Sequence, residues 1–125
     1  MRRTVLTPDA PSPIGPYSQG VAASGSFLFV SGQTPKDPKT GVMPADLKGQ
    51  TAQCLKNIQA IVEAAGASLS DVVRVGAFLK DLADFKDFNE VYTTFFTAPY
   101  PARTTVQAAP PGCLVELDAI VRLKT

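Results

Sequence analysis

Asp46-Leu47-Lys48-Gly49-Gln50-Thr51-Ala52-Gln53-Cys54-Leu55-Lys56-Asn57-Ile58-Gln59-Ala60-Ile61-Val62-Glu63-Ala64-Ala65-Gly66 is where the hydrophobic period of this 125-residue chain changes. Leu47, Thr51, Cys54, Leu55, Ile58, Ile61, Val62 and Ala65 recur at three- and four-residue steps, which lays one apolar stripe along a long helix from Asp46 to Ala65. Asp46 can cap its start with a side-chain oxygen, and Gly66 can take the left-handed conformation that ends it. Such a helix is stable only when its stripe lies on a second layer. The flanking segments supply that layer.

Upstream, seven of the eleven prolines fall within the first 44 residues, so the opening third reads as loops and short strands. Ser12-Pro13-Ile14-Gly15-Pro16 is a rigid loop. Gln19 to Ala23 and Ser26 to Ser31 read as two strands, with Ser24-Gly25 as a hairpin turn between them. Phe27-Leu28-Phe29-Val30 is continuously apolar, as expected of a strand covered on both faces. Downstream, Val72 to Lys80 reads as a strand. Asp84 is a candidate cap for a second helix, whose stripe is Phe85, Phe88, Tyr92 and Phe95 or Phe96, and Pro99 and Pro101 end it. Two closing strands run from Arg103 to Ala108 and from Leu114 to Leu123. In the last, Val115, Leu117, Ala119, Val121 and Leu123 share one face, and Leu114, Glu116, Asp118, Ile120 and Arg122 the other. The order β-β-α-β-α-β-β predicts one α+β domain over residues 1–125, with both helices on one face of a mixed sheet.

Charge and composition narrow the function. Twelve basic and eleven acidic residues leave a formal charge of +1, and there is no basic run beyond Arg2-Arg3, so the footprint of a nucleic-acid binder is missing. Apolar residues make up 45% and charged residues 18%, a lightly charged surface that favours burial against copies of the same chain. Cys54 and Cys113 form no metal or redox motif; Cys54 falls on the helix stripe as a reduced core residue, and Cys113, in the turn after Pro110-Pro111-Gly112, is expected to be more exposed. No apolar leader precedes Pro8 and no run is long enough to span a membrane, so a cytoplasmic address is the expectation. Histidine is absent. That removes the commonest general base and neutral metal ligand, and leaves chemistry to Arg, Glu, Asp, Tyr, Ser, Thr, backbone groups and water.

Arg103 follows the stiff lead-in Pro99-Tyr100-Pro101-Ala102 at the head of an apolar strand. It reads equally well as a surface arginine at a strand edge or as a guanidinium fork for a carboxylate. Glu116 is a solvated charge beside Asp118 if its face meets water, and a general acid/base candidate if that face lines a cleft. Ser31 and Gly32 end an apolar strand, where a hydroxyl and a backbone N–H can form a simple turn or touch a ligand. Tyr17 can orient a ligand or pack, and Asn89 can tie a loop to the second helix.

Taken together, the segments of nearly the whole chain resemble the reactive intermediate deaminase family, also called the Rid or YjgF family. The carriers are Ala10-Pro11, Ile14-Gly15-Pro16-Tyr17-Ser18-Gln19, Ser31-Gly32-Gln33, Asn57 to Gly66, Phe78 with Lys80-Asp81, Phe85, Asn89, Tyr92 with Phe95-Phe96, Pro101-Ala102-Arg103 and Val115-Glu116-Leu117. The resemblance implies a chorismate-mutase-like α+β fold assembled as a homotrimer with clefts between subunits. It implies hydrolysis of 2-iminobutanoate and 2-iminopropanoate, and of enamines such as 2-aminoacrylate, to 2-oxo acids and ammonia, without metal or organic cofactor. By position, Arg103 matches the arginine that holds the substrate carboxylate, and Glu116 the glutamate that positions water. Tyr17, Ser31 with Gly32, and Asn89 match further site residues. Thr105 stands where many members carry a cysteine, and the turn Ala109 to Gly112 is two residues shorter than usual. Because side chains alternate with period two, an even deletion leaves Glu116 on its face. Two other readings compete: RNA cleavage with translation inhibition, which the near-neutral charge and missing histidine oppose, and a non-enzymatic carboxylate-binding or chaperone-like module.

Overall fold

The computed structural model describes residues 1–124. Its strands are β1 (Arg2–Val5), β2 (Gly20–Ala23), β3 (Ser26–Gln33), β4 (Val72–Leu79), β5 (Ala102–Gln107) and β6 (Val115–Leu123), and its helices are α1 (Leu47–Ala64) and α2 (Phe85–Phe95). The main sheet has the order β3-β6-β4-β5; β6 runs antiparallel to both neighbours, and β4 and β5 are parallel. This is the mixed sheet with two helices expected from the hydrophobic periods.

α1 forms where the stripe predicts it. The Asp46 carboxylate accepts from the Gly49 N–H at 2.9 Å, and Gly66 ends the helix at φ +81°. Leu55, Ile58 and Val62 of α1 pack on the inward residues of β6 and β4, namely Val115, Leu117, Val121, Val75 and Leu79, all fully buried. Each such side chain contributes roughly 1.5–3 kcal/mol by leaving water. Phe88, Tyr92 and Phe96 bring α2 into the same core. Both helices therefore cover one face of the sheet.

Four expectations change. Ser24-Gly25 is a corner between sheets rather than a hairpin: β2 pairs with β1, a short strand the sequence reading missed, while β3 pairs with β6. Asp84 occupies the N-cap position of α2 without a capping bond; Asp81 instead accepts from the Ala83 N–H at 2.9 Å in the short 3-10 turn Leu82–Asp84. Strand β3 is covered on one face only within the chain, since Phe29 is 73% exposed while Val30 is buried. Cys113 is buried rather than exposed. No helix of the described residues is long and apolar enough to cross a membrane.

Cys54 and Cys113 both approach the Val115 carbonyl, at 3.7 and 3.3 Å. Burial pushes the Cys54 thiol up to about 12, with Cys113 and Glu116 adding to the shift, and burial raises Cys113 as well. Both thiols therefore stay protonated well above neutrality, and the thiolate is the reactive form. A thiol reagent at about pH 8 is expected to label neither cysteine in the native protein and both in denaturant; rapid labelling of the native protein would contradict this packing.

Candidate active site

The sheet's other face, free of helices, carries Glu116. Its cross-strand partner is Phe78, which in turn pairs with Val106 of β5. On its other side β3 slips register by one residue between Val30 and Gln33, so Ser31 and Gly32 form a bulge opposite β6. A bulge leaves backbone groups out of the ladder, and bulges recur beside active sites. The bulge brings Gly32 against the Glu116 carboxylate so closely that a β-carbon at position 32 would collide with Glu116 Oε2. Gly32 and Glu116 thus form one group, with Ser31 beside Gly32 in the bulge. Ala109 and Pro110 of the turn between β5 and β6 line a cleft of about 160 Å³ with Phe78 and Glu116. The turn therefore shapes this rim and leaves Glu116 on the face its alternation predicts.

Arg103 lies on the opposite, helix-covered face. It is the second residue of β5 and the lateral partner of Val75, a core residue. Its guanidinium sits among four aromatic rings, with its carbon 4.7 Å from the centroid of Tyr92, 5.2 Å from Phe88 and 5.6 Å from both Tyr17 and Phe85. All three guanidinium nitrogens are buried without a hydrogen-bond partner among the described residues. Asn89 Oδ1, the Tyr92 hydroxyl and the Thr105 hydroxyl are also buried and unpartnered. Burial lowers the Arg103 pKa, against a raising influence of Tyr92 and Tyr17. It raises that of Tyr92.

The segment Ile14 to Tyr17 closes this cage from outside. Tyr17 Oη accepts from the Ile14 N–H at 3.2 Å. A β-carbon at Gly15 would stand 3.6 Å from Arg103 Nη2 and 3.5 Å from Asn89 Nδ2. Gln19, which the sequence reading gave no role, fastens the loop: its amide accepts from the Thr7 N–H at 2.7 Å and donates to the Thr7, Ala10 and Pro11 carbonyls. Ser18 ties it to the strand by donating its N–H to Pro101 O at 3.1 Å and its hydroxyl to Tyr100 O. Among the candidates, then, Tyr17, Asn89, Arg103 and Thr105 share one face of the sheet, and Ser31, Gly32 and Glu116 the other. Within one chain Arg103 and Glu116 are therefore separated by the sheet. The cage rings Phe88 and Tyr92 were read as core alone, though three rings at positions 85, 88 and 92 of one helix were visible in the stripe.

A four-stranded mixed sheet under two helices, with a buried unpaired arginine beside a proline-rich strap, defines a small α+β family. The sequence matches the Endoribonuclease L-PSP family over residues 7–123. The chain belongs to this family, also called the Rid, YjgF or RutC family. It is 50% identical over 123 residues to a RutC family protein of Pyrococcus horikoshii, covering 96% of this chain and 97% of that protein. It is 46% identical over 125 residues to the 2-iminobutanoate/2-iminopropanoate deaminase of Escherichia coli K12, covering 96% and 97%. The fold superposes on the crystal structure of E. coli TdcF with bound serine at a TM-score of 0.76, with 42% identity, covering 98% of this chain and 99% of that one.

A buried cation with unpaired donors is a cost that folding alone does not recover. Arg103→Met is therefore expected to raise the unfolding midpoint, by about 1 kcal/mol or roughly 4 °C. A fall of the midpoint in differential scanning calorimetry would mean that the cage stabilises the fold.

Proposed function

We propose that the protein hydrolyses small 2-imino acids and their enamine tautomers, such as 2-iminopropanoate, 2-aminoacrylate and 2-iminobutanoate, to 2-oxo acids and ammonia. The observation that carries this reading is the Arg103 guanidinium, buried, charged and without an acceptor among the described residues. A small anion supplies that acceptor. The naming of a 46% identical relative as a 2-iminobutanoate/2-iminopropanoate deaminase supports the choice of anion.

Because Arg103 and Glu116 lie on opposite faces of one sheet, the reading requires two copies of the chain. The open face carries Phe29 beside Ile120 and Phe78 beside Val106, an apolar surface suited to burial against another copy. In the proposed homotrimer each cleft joins the Arg103 group of one subunit to the Ser31, Gly32 and Glu116 group of the next. The substrate carboxylate takes the guanidinium fork once the Ile14 to Tyr17 strap yields, and Thr105 and Asn89 supply polar contacts in the same pocket. Glu116 holds a water against C2 and takes one of its protons as oxygen bonds to carbon. That proton passes to nitrogen to give a carbinolamine; Glu116 then carries the hydroxyl proton to nitrogen as the C=O bond forms and the C–N bond breaks, releasing ammonia and the 2-oxo acid. Tyr17 and the Ser31-Gly32 bulge orient the imine. The chemistry needs no metal or organic cofactor, and free water already performs it slowly.

Ammonia and 2-oxo acid release from enzymatically generated 2-aminoacrylate tests the assignment. Arg103→Ala is expected to lower kcat/KM by roughly 100-fold, the loss of two charge-assisted hydrogen bonds. Full activity in that variant would sink the proposal. Gly32→Ala is a second test, because its β-carbon displaces the flexible Glu116 carboxylate rather than backbone. It is expected to fold with nearly unchanged stability and to lose roughly 10-fold or more in kcat. Equal kcat for Gly32→Ala and the parent would remove Glu116 from the mechanism.

A further inference from the structure

The cage around Arg103 has two kinds of wall. Phe85, Phe88 and Tyr92 all belong to α2, at spacings of three and four residues, so they project from one stripe of one helix. Phe88 and Tyr92 are fully buried, and their rings lie 5.6 Å apart; Tyr92 continues the stack to Phe96 at 4.7 Å. These rings cannot move without opening the core. Tyr17 and Gly15 form the remaining wall and belong to the loop strap, which backbone and amide hydrogen bonds hold rather than apolar packing.

A guanidinium at this depth keeps its charge but loses its hydration, and among the described residues no carboxylate compensates that loss. Among the described residues the salt bridges join Lys48 to Glu90, Arg74 to Asp118 and Lys124 to Asp71, and none involves Arg103. The negative faces of aromatic rings attract a cation without accepting its N–H donors. A carboxylate partner would do both, and would compete with an incoming anion for the same donors. Rings therefore solve a problem that an aspartate or glutamate cannot: they hold the charge while leaving every donor open.

We propose that Phe85, Phe88 and Tyr92 are positioning residues that hold the Arg103 guanidinium in place for the substrate carboxylate, with the Ile14 to Tyr17 strap as the wall that the carboxylate displaces. The inference rests on the reading of Arg103 as the carboxylate anchor. It extends that reading to side chains that otherwise count as hydrophobic core. The rings confine the free guanidinium to the position it keeps in the complex, so their loss adds an ordering cost to ground-state and transition-state binding alike. That signature is a raised KM with kcat little changed.

The decisive experiment varies ring electrostatics at nearly constant shape. Phe88 is replaced by mono-, di- and trifluorinated phenylalanines, which keep the ring's size and drain its negative face. Affinity for 2-oxobutanoate is then measured by calorimetry, beside the unfolding midpoint. Affinity is expected to fall stepwise along the series, reaching about 3- to 10-fold, as for a partly desolvated cation–π contact. A flat series overturns the proposal. The half-buried Phe85 gives an independent check: Phe85→Leu is expected to raise KM by a similar factor with kcat kept, and Phe85→Tyr, which keeps a ring, to restore it. Equal KM values for these two variants would also overturn it. Arg103→Ala serves as the control that separates the two claims. If it retains 2-oxobutanoate affinity, the carboxylate anchor itself is wrong; if it loses affinity while the fluorinated series stays flat, only the role of the rings fails.

Discussion

Successive side chains of a β-strand point to opposite faces of its sheet, and that constraint organises both the core and the site of this protein. Along β6 it sends Val115, Leu117, Ala119 and Val121 under the helices and turns Glu116 and Asp118 to the open face. Through the parallel pairing of β4 and β5 it sends Arg103 to the helix side, next to Val75. The same alternation that builds the core thus divides the polar candidates into two groups with a sheet between them. In the proposed reaction neither group is a complete site. One has a fixed cation without an acceptor, and the other has a carboxylate at a bulged strand with loosened backbone.

The cation group departs from what stability alone favours. Natural cores rarely bury an arginine without pairing it, because the desolvation cost is large. Here the guanidinium lies among four rings with all three nitrogens unmet among the described residues, alongside unmet oxygens on Asn89, Tyr92 and Thr105. Polar groups left open in one small region, in a fold otherwise well packed, are the kind of local inconsistency expected where function overrides packing. The glutamate group shows the complementary economy. Gly32 leaves room for a carboxylate that any larger residue would push away.

Much of this was legible in the sequence because it is local. The stripe from Leu47 to Val62, the cap at Asp46 and the stop at Gly66 depend on neighbours a few residues apart, and the structure has them where the period puts them. The two faces of β6 were legible for the same reason. Strand β1 was not, because Arg2-Arg3-Thr4-Val5 is too short and too polar to carry a period, and its partner lies across a long loop. Nor was the separation of Arg103 from Glu116, which depends on β4 standing between β5 and β6 and on the registers of both pairings. Phe29 was read as covered on both faces because its run is continuously apolar; the chain covers one face and leaves the other exposed. The family resemblance singled out Arg103, Glu116, Tyr17, Ser31 and Asn89 as candidates, but motif positions alone carry no information about which face of a sheet each one takes.

The central claim is that a working site takes Arg103 from one chain and Glu116 from another. Mixing two inactive variants tests it directly. Arg103→Ala and Glu116→Gln subunits are unfolded together, refolded together at equal amounts, and assayed for ammonia release from 2-aminoacrylate. If each cleft joins two subunits, random assembly gives about one cleft in four with both native residues, and activity returns to about a quarter of the parent level. If the two residues act within one chain, no mixed oligomer contains an intact site. Activity that stays at the level of the separate variants, in oligomers shown to be mixed, would contradict the account.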